Sequence, residues 1–462
     1  MSISPAKSRS STAARFGVSL ALGFALSGCQ SANDRLLAVT DPDIIPPGDV
    51  KTAEAAVALA NGALNTFRNI TGGAESTWLF GGLLADEWST SSTFIENDET
   101  DQRRVREFNG SVTTMIRNLY RVRTRANGAM TALNAYSPTS KALIAEMYLA
   151  RGFAEVQMAS DFCNGIPIGI TNTLPPDNGV PLTTAQVFAL SAASLDTAIA
   201  TAVGTDAQSV LVNRAARVAR ARVALALSDF ASAATFVAGI PTTFAYQHTF
   251  SLTTGTNTIW GQGLSSRRYS VGDSVEGNAR NIRVLNAIPF ASSRDPRLPT
   301  VIPTTGSANG QDGQTYARTT TVYGQLTTLD VANGIDARLI EAEVALKAGN
   351  TALWLSTLNA LRAAPPKLGD VQAAVLTALA DPGSADARLS LQFREKAFWT
   401  FSRGQRLGDL RRLLRQYGRT EQNTFPQGVH YKGGNYGTDV NLPVVTDERN
   451  NPNFKGCVDR NP

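Results

Sequence analysis

Carboxylates that stand close together in the chain are the first residues to test for chemistry, because general acid–base work needs two that converge on one bond. Asp86 and Glu87 are adjacent, and Glu341 and Glu343 are two apart. Adjacent side chains diverge in helix or strand, and residues two apart on a helix point about 200° away from each other, so neither pair forms a dyad by itself. Solvated or salt-bridged carboxylates account for both. Only two histidines, His248 and His430, occur in 462 residues, each in polar, loop-like surroundings. A histidine-rich metal site or a pair of imidazole bases is hard to build from them. Gly-x-Ser-x-Gly, Walker A and His-Glu-x-x-His patterns are absent. The chain reads as a non-enzyme, with no cofactor and no metal ion expected.

A binding site asks for other residues. Sugars and peptides need flat apolar surfaces to stack on and a few oriented polar groups. Trp78 and Trp88 fall in a Gly-rich first loop region, and Trp260, Tyr269, Tyr316 and Tyr323 fall in a long non-helical segment. Asp86, Asn97 and Arg267 are candidate polar partners. Loop anchoring is the competing role for each aromatic. Trp354 and Trp399 sit at apolar helix positions and read as core. Arginine clusters at 117–125, 214–222 and 403–419 superficially suggest nucleic acid. They lie on Ala- and Leu-patterned helices with acids nearby, so solvated helix faces and interhelical ion pairs explain them better, and no nucleic-acid partner is expected.

The elements that must position these residues are mostly helical. With 43% hydrophobic and 18% charged residues the chain can build a sizeable core and is neither disordered nor a disulfide-rich miniprotein. Ala56, Leu59, Ala60, Ala63, Leu64 and Phe67 share one face of a helix over 52–67. Helical periodicity then dominates 102–135, 139–160, 184–203, 211–238 and 333–417. Between 240 and 330 the texture changes to Thr, Ser, Gly, Tyr and Pro, which predicts irregular loops with short strands or a binding insertion. Val223-Ala224-Leu225 before Ser228-Asp229 and Val344-Ala345-Leu346 before Gly349-Asn350 are weakly alike. Both tetratricopeptide-like pairs and two ordinary helical hairpins fit that likeness.

The amino terminus carries an address. Lys7, Arg9 and Arg15 precede the apolar run from Phe16 to Leu26, which is too short to span a bilayer and suits a signal h-region. Leu26-Ser27-Gly28-Cys29 follows and resembles a bacterial lipoprotein box. Residues 1–28 are expected to be a signal peptide, Cys29 to take the lipid, and 29–50 to form an extended leader. Three of the five net positive charges leave with the signal. The remaining cysteines, Cys163 and Cys457, form an even pair in an oxidising compartment, and a disulfide between them is expected, with two separate buried thiols as the alternative.

Several stretches together resemble the SusD/RagB family of nutrient-binding outer-membrane lipoproteins. They are Glu146 to Arg151 running into Asp161–Ile168, Arg294-Asp295-Pro296-Arg297-Leu298, Asp336 to Arg362, and Phe393 to Arg412, followed by the tail from Asn441-Leu442-Pro443 to Asn453. Two positions depart from the family's pattern: Cys163-Asn164-Gly165 replaces a Gly-Asp turn, and Arg403 stands where an acid is common. The resemblance implies a mainly α, tetratricopeptide-like scaffold over 51–462, with long irregular loops, a few short strands and a ligand-binding insertion around 240–330. It also implies a lipid-anchored, surface-exposed subunit that works with a SusC-like TonB-dependent transporter and binds an oligosaccharide or another nutrient. A peptide ligand, or a helical-repeat lipoprotein serving as an assembly adaptor, is the alternative.

Overall fold

Helices account for about half of the described residues, and many of them start where a side chain caps the first turn. The computed structural model describes residues 50–169, 178–277, 280–303 and 309–462. The expected signal peptide, Cys29 and nearly all of the expected leader lie outside them.

Helix α1 (Ala53–Gly72) begins where Thr52 accepts a hydrogen bond from the Ala55 amide, and buries Ala56, Ala60, Ala63, Phe67 and Ile70 along one stripe. Helices α2 (Thr77–Leu84) and α3 (Ile95–Asp101) are short, α4 (Gly110–Tyr136) is long, and α5 (Lys141–Asp161) is buried over most of its surface. Helices α6 (Thr184–Thr201), α7 (Ala207–Ala226), α8 (Phe230–Val237), α9 (Gly334–Lys347) and α10 (Thr351–Ala363) continue the series. Each of α4 to α10 packs on the next, and α1 packs on α4. At the crossing of α5 and α6 a Cβ on Gly152 would come within 2.7 Å of Leu195, so glycine sets that close approach.

The two similar helix pairs are built alike. Ser228 and Gly349 take positive φ at the turns, and Asp229 and Asn350 then cap α8 and α10 by accepting from the Ser232 and Leu353 amides. The fold is therefore mainly α, made of stacked helical pairs with short strands between them. Among the described residues no helix is long and apolar enough to cross a membrane.

The helical periodicity over 211–238 is α7 and α8, divided at the Ser228-Asp229 turn as the likeness of the two pairs suggests. The periodic stretch 333–417 is four helices, α9, α10, α11 (Ala385–Trp399) and α12 (Arg406–Tyr417), with an irregular run after Pro365-Pro366. Proline in succession removes amide donors and holds the chain extended. The Gly-rich first loop region also differs: 77–84 is helix, because all eight residues are buried and the interior favours closing their backbone hydrogen bonds.

The segment 240–330 is tied down by two small antiparallel sheets. Strand β1 (Trp88–Thr90) pairs with β3 (Tyr269–Val271), placing Trp88 opposite Val271. Strand β2 (Ala245–His248) pairs with β4 (Leu329–Asn333), which leads into α9. Cys163 and Cys457 are bonded, across 294 residues of sequence. In that turn Asn164 accepts from the Thr184 amide and donates to Asp459, so the tail and the start of α6 meet there.

The arginines at 403–412 are interior rather than solvated. Arg403 pairs with Asp336 at 2.7 Å, Arg406 with Asp86 at 2.7 Å, and Arg412 with Glu343, all largely buried. Arg297 bridges Asp295 and Glu395, and Glu395 also holds Arg362. Burial alone would raise the Asp336 carboxyl, but the Arg403 guanidinium, helped by the Gln405 hydrogen bond and the Arg222 charge, outweighs it and holds the group below its ordinary value. The short sequence motifs are thus an internal lattice of ion pairs joining α9, α11 and α12 to the first loop.

Candidate functional site

Six of the nine candidate ligand residues belong to the interior. Trp78 is 0% exposed within α2. Trp88 is 2% exposed, donates from its indole N–H to Ser402 Oγ at 2.9 Å, and packs on Phe401 and Tyr269. Tyr269 is buried and bonded to the side chain of buried Asn97. Tyr323 is buried and donates to the Phe401 carbonyl at 2.6 Å. Asp86 is held by Arg406 and accepts from the Ile288 amide. These six were expected at a loop surface and instead anchor the loops. The reason is long-range: Ser402, Phe401 and Arg406 cover them from more than 300 positions away in the case of Trp88 and Asp86.

The neighbouring carboxylates do not form an acid–base pair. Asp86 points to Arg406, whereas Glu87 Oε1 accepts from the Ser402 amide. Burial pushes Glu87 well above the carboxylate range, and the Ser402 hydrogen bond only partly opposes that. Glu343 is buried against Arg412 and Tyr417, while Glu341 faces Arg338 at the surface. Among the described residues no group of three or more His, Cys, Asp or Glu side chains could hold a metal ion.

Trp260, Arg267 and Tyr316 are the three candidates that remain half-exposed, on loops that the structure connects. Trp260 ends a helical turn that continues as a wide turn over Gly261–Ser265, and Gly263 lies against the Trp88 indole. Arg267 has positive φ, and its carbonyl accepts from Ser91 Oγ at 2.7 Å and from the Gln311 amide at 3.1 Å. Tyr316 bridges to Asn309 in the adjoining loop.

Residues outside the expected set complete this rim. Phe94 is 41% exposed and Ile95 57%, at the start of α3. The Arg268 guanidinium lies 4.3 Å over the Phe94 ring, and its Nε donates to Gln311 Oε1 at 2.8 Å. Lys432 fixes the loop from behind, donating to the Ser92 carbonyl and pairing with Asp98 and Asp312. Glu75 is half-buried near Arg268; burial raises its carboxyl and the arginine's charge partly offsets that. The rim therefore offers an exposed aromatic face, a cation stacked on it and an amide beside both. A search for exposed Trp and Tyr passes over Phe94, although Phe94-Ile95 is an apolar pair after a Ser/Thr run and could have been flagged.

Solved structures with this arrangement of helices exist. A SusD superfamily protein from Bacteroides fragilis aligns over 88% of this chain and 99% of its own, with TM-score 0.64 and 16% identity. The fold is SusD-like. Surface glycan-binding protein A from Bacteroides uniformis aligns over the same shares with TM-score 0.61 and 15% identity. A SusD-like carbohydrate binding protein from Bacteroides vulgatus covers 78% of this chain and 83% of its own, with TM-score 0.56 and 14% identity. No family model and no curated protein matches the sequence. At these identities the likeness is one of architecture, and the SusD-like scaffold holds the rim on loops between its helices.

Proposed function

We propose that this SusD-like chain is a nutrient-binding subunit, not an enzyme, and that it captures an oligosaccharide at the rim around Phe94. The observation that carries the reading is the exposed Phe94 ring with Arg268 stacked on it and Gln311 at its edge. A pyranose ring can pack against the part of the Phe94 ring that the guanidinium leaves exposed, while its hydroxyls bond to the guanidinium and the amide. Two of the structures sharing the fold are named as carbohydrate- or glycan-binding proteins, which supports the same ligand class. Trp260, Arg267 and Tyr316 extend the rim and would contact further sugar units; the six interior candidates would hold it in shape.

In this reading Cys29 carries the acyl anchor at the outer membrane, on the cell surface, and a SusC-like TonB-dependent transporter receives the ligand. Calorimetry with a panel of oligosaccharides, on the parent and on Phe94→Ala and Trp260→Ala, tests the site. Affinity should drop about tenfold in Phe94→Ala, as expected for loss of one stacked ring; equal affinity in parent and both variants would reject the rim. Copurification tests the partner. A large β-barrel is expected, and recovery only with soluble assembly factors would favour the adaptor role instead.

A further inference from the structure

A small cavity of about 30 Å³ lies between α5 and α7 on one side and α12 on the other, and none of its lining residues belongs to the rim. Exposed Arg415 and partly exposed Ser160 and Ala226 in its wall leave it open to solvent. That is room for about two waters or one ion of phosphate size. Four cations line it, Arg222, Lys396, Arg412 and Arg415, against one carboxylate, Asp409. Asp409 holds Lys396 at 2.7 Å and Arg412 at 3.3 Å, and Arg412 also pairs with Glu343. Both carboxylates are thereby engaged, and the other two cations have none.

Only Nη2 of Arg222 is bonded, to Gln157 Oε1 at 3.2 Å and to the Gly404 carbonyl at 3.5 Å. Its Nε and Nη1 have no partner among the described residues, and neither is shut off from solvent, since the side chain is only partly buried. Burial pulls this guanidinium below its ordinary value, and the charges of Asp336 and Asp409 only partly offset that. Arg415 makes no hydrogen bond or ion pair among the described residues. Helix α12 adds a further donor. No side chain caps its start, and the amide of Gly408, in its first turn and in the cavity wall, has no acceptor among the described residues. A neutral ligand would leave both guanidiniums without a counter-charge, and a cation would be repelled. What the cavity lacks is an anion with several acceptor oxygens.

We propose that this cavity is a second binding site, separate from the rim, for an oxyanion of phosphate size that accepts from Arg222 and Arg415. Planar guanidinium forks match the paired oxygens of such an ion, and the Gly408 amide meets a third. The bound ion joins α7 to α12 through charge. Its chemistry is that of a phosphate group, whether a free ion or the end of a phosphate ester that enters through the open side. The proposal does not rest on the Phe94 site, and either can fail alone.

The test is calorimetry on the full chain, with ionic strength fixed by sodium chloride, titrating inorganic phosphate and then glucose 6-phosphate. The expected result is saturable binding of phosphate at one site per chain, with a Tm that rises with phosphate concentration. Binding of both probes marks a site that admits esters; binding of phosphate alone marks a free-ion site. Arg415→Gln, an exposed change that breaks no hydrogen bond or ion pair among the described residues, should weaken phosphate binding about tenfold. Arg222→Gln should weaken it at least as much. Arg214→Gln removes the same charge from α7 outside the cavity and should leave binding unchanged, as should Phe94→Ala. The proposal is overturned by no saturable phosphate binding in the parent, by unchanged affinity in Arg415→Gln, or by an equal loss in Arg214→Gln.

Discussion

Arginine stacked on an aromatic ring occurs both at the rim and in the interior, and the surroundings make the two opposite in use. Arg297 lies 5.0 Å from the Phe398 ring and 4.9 Å from Trp399, fully enclosed, with Asp295 and Glu395 taking its remaining donors. Arg268 lies 4.3 Å over Phe94, half-exposed, and among the described residues only its Nε is engaged, by a neutral amide. The interior arginine has nothing left to offer a ligand, and its carboxylates would be stranded without it. The rim arginine keeps donors free and loses little if its ring is removed. A shared pairing of residue types thus says nothing about role until the fate of every hydrogen-bonding group is known.

Substitution can break that contrast. Arg297→Ala should cost about 3–5 kcal/mol in denaturant unfolding, since it uncovers two acidic partners in the interior; a loss as small as that of Arg268→Ala would erase the distinction. Replacing Cys163 and Cys457 together with Ala should lower stability by about 2–4 kcal/mol, leaving rim affinity unchanged in calorimetry. The titration of Asp161 sharpens the interior side further. Burial pushes this carboxyl up to about 7, despite the nearby Arg411 charge. The folded state therefore holds its proton more tightly than the unfolded chain, and stability falls as pH rises from about 4 to about 7, by at most about 1.4 kcal/mol per pH unit. Measured as the difference between parent and Asp161→Asn, that slope should appear below pH ~7 and flatten above it; a flat difference throughout would contradict it. Phe94→Ala should change stability least, by less than about 1 kcal/mol in thermal melts, because it removes a half-exposed cation–π contact.

The scaffold was readable because helices announce themselves locally. The stripe in α1, the stop after Asp161, and Asp229 and Asn350 at equivalent turns all depend on residues within a few positions of each other. The cysteine pairing followed from parity rather than geometry. Helix α2 was missed because eight buried residues with Gly81 and Gly82 show no amphipathic period. Trp88 and Tyr269 were misplaced for a different reason: short strands among Ser, Thr and Gly look exposed until distant partners cover them. Phe94 and Arg268 meet only because β1 and β3 pair, and no local pattern encodes a register across 170 or more residues.

The reach of the internal ion pairs also has a kinetic side. Asp86 waits for Arg406, 320 positions later, and the linked cysteines are 294 apart. Closing contacts of that span is slow compared with forming any single helix. During synthesis the early segment around α2 is thus complete in sequence but unpaired in charge, and no amino-terminal fragment ending before α12 can neutralise it. The last helix acts as the fastener of the first loops, so a chain cut short before it lacks both the Asp86–Arg406 pair and the Cys163–Cys457 bond.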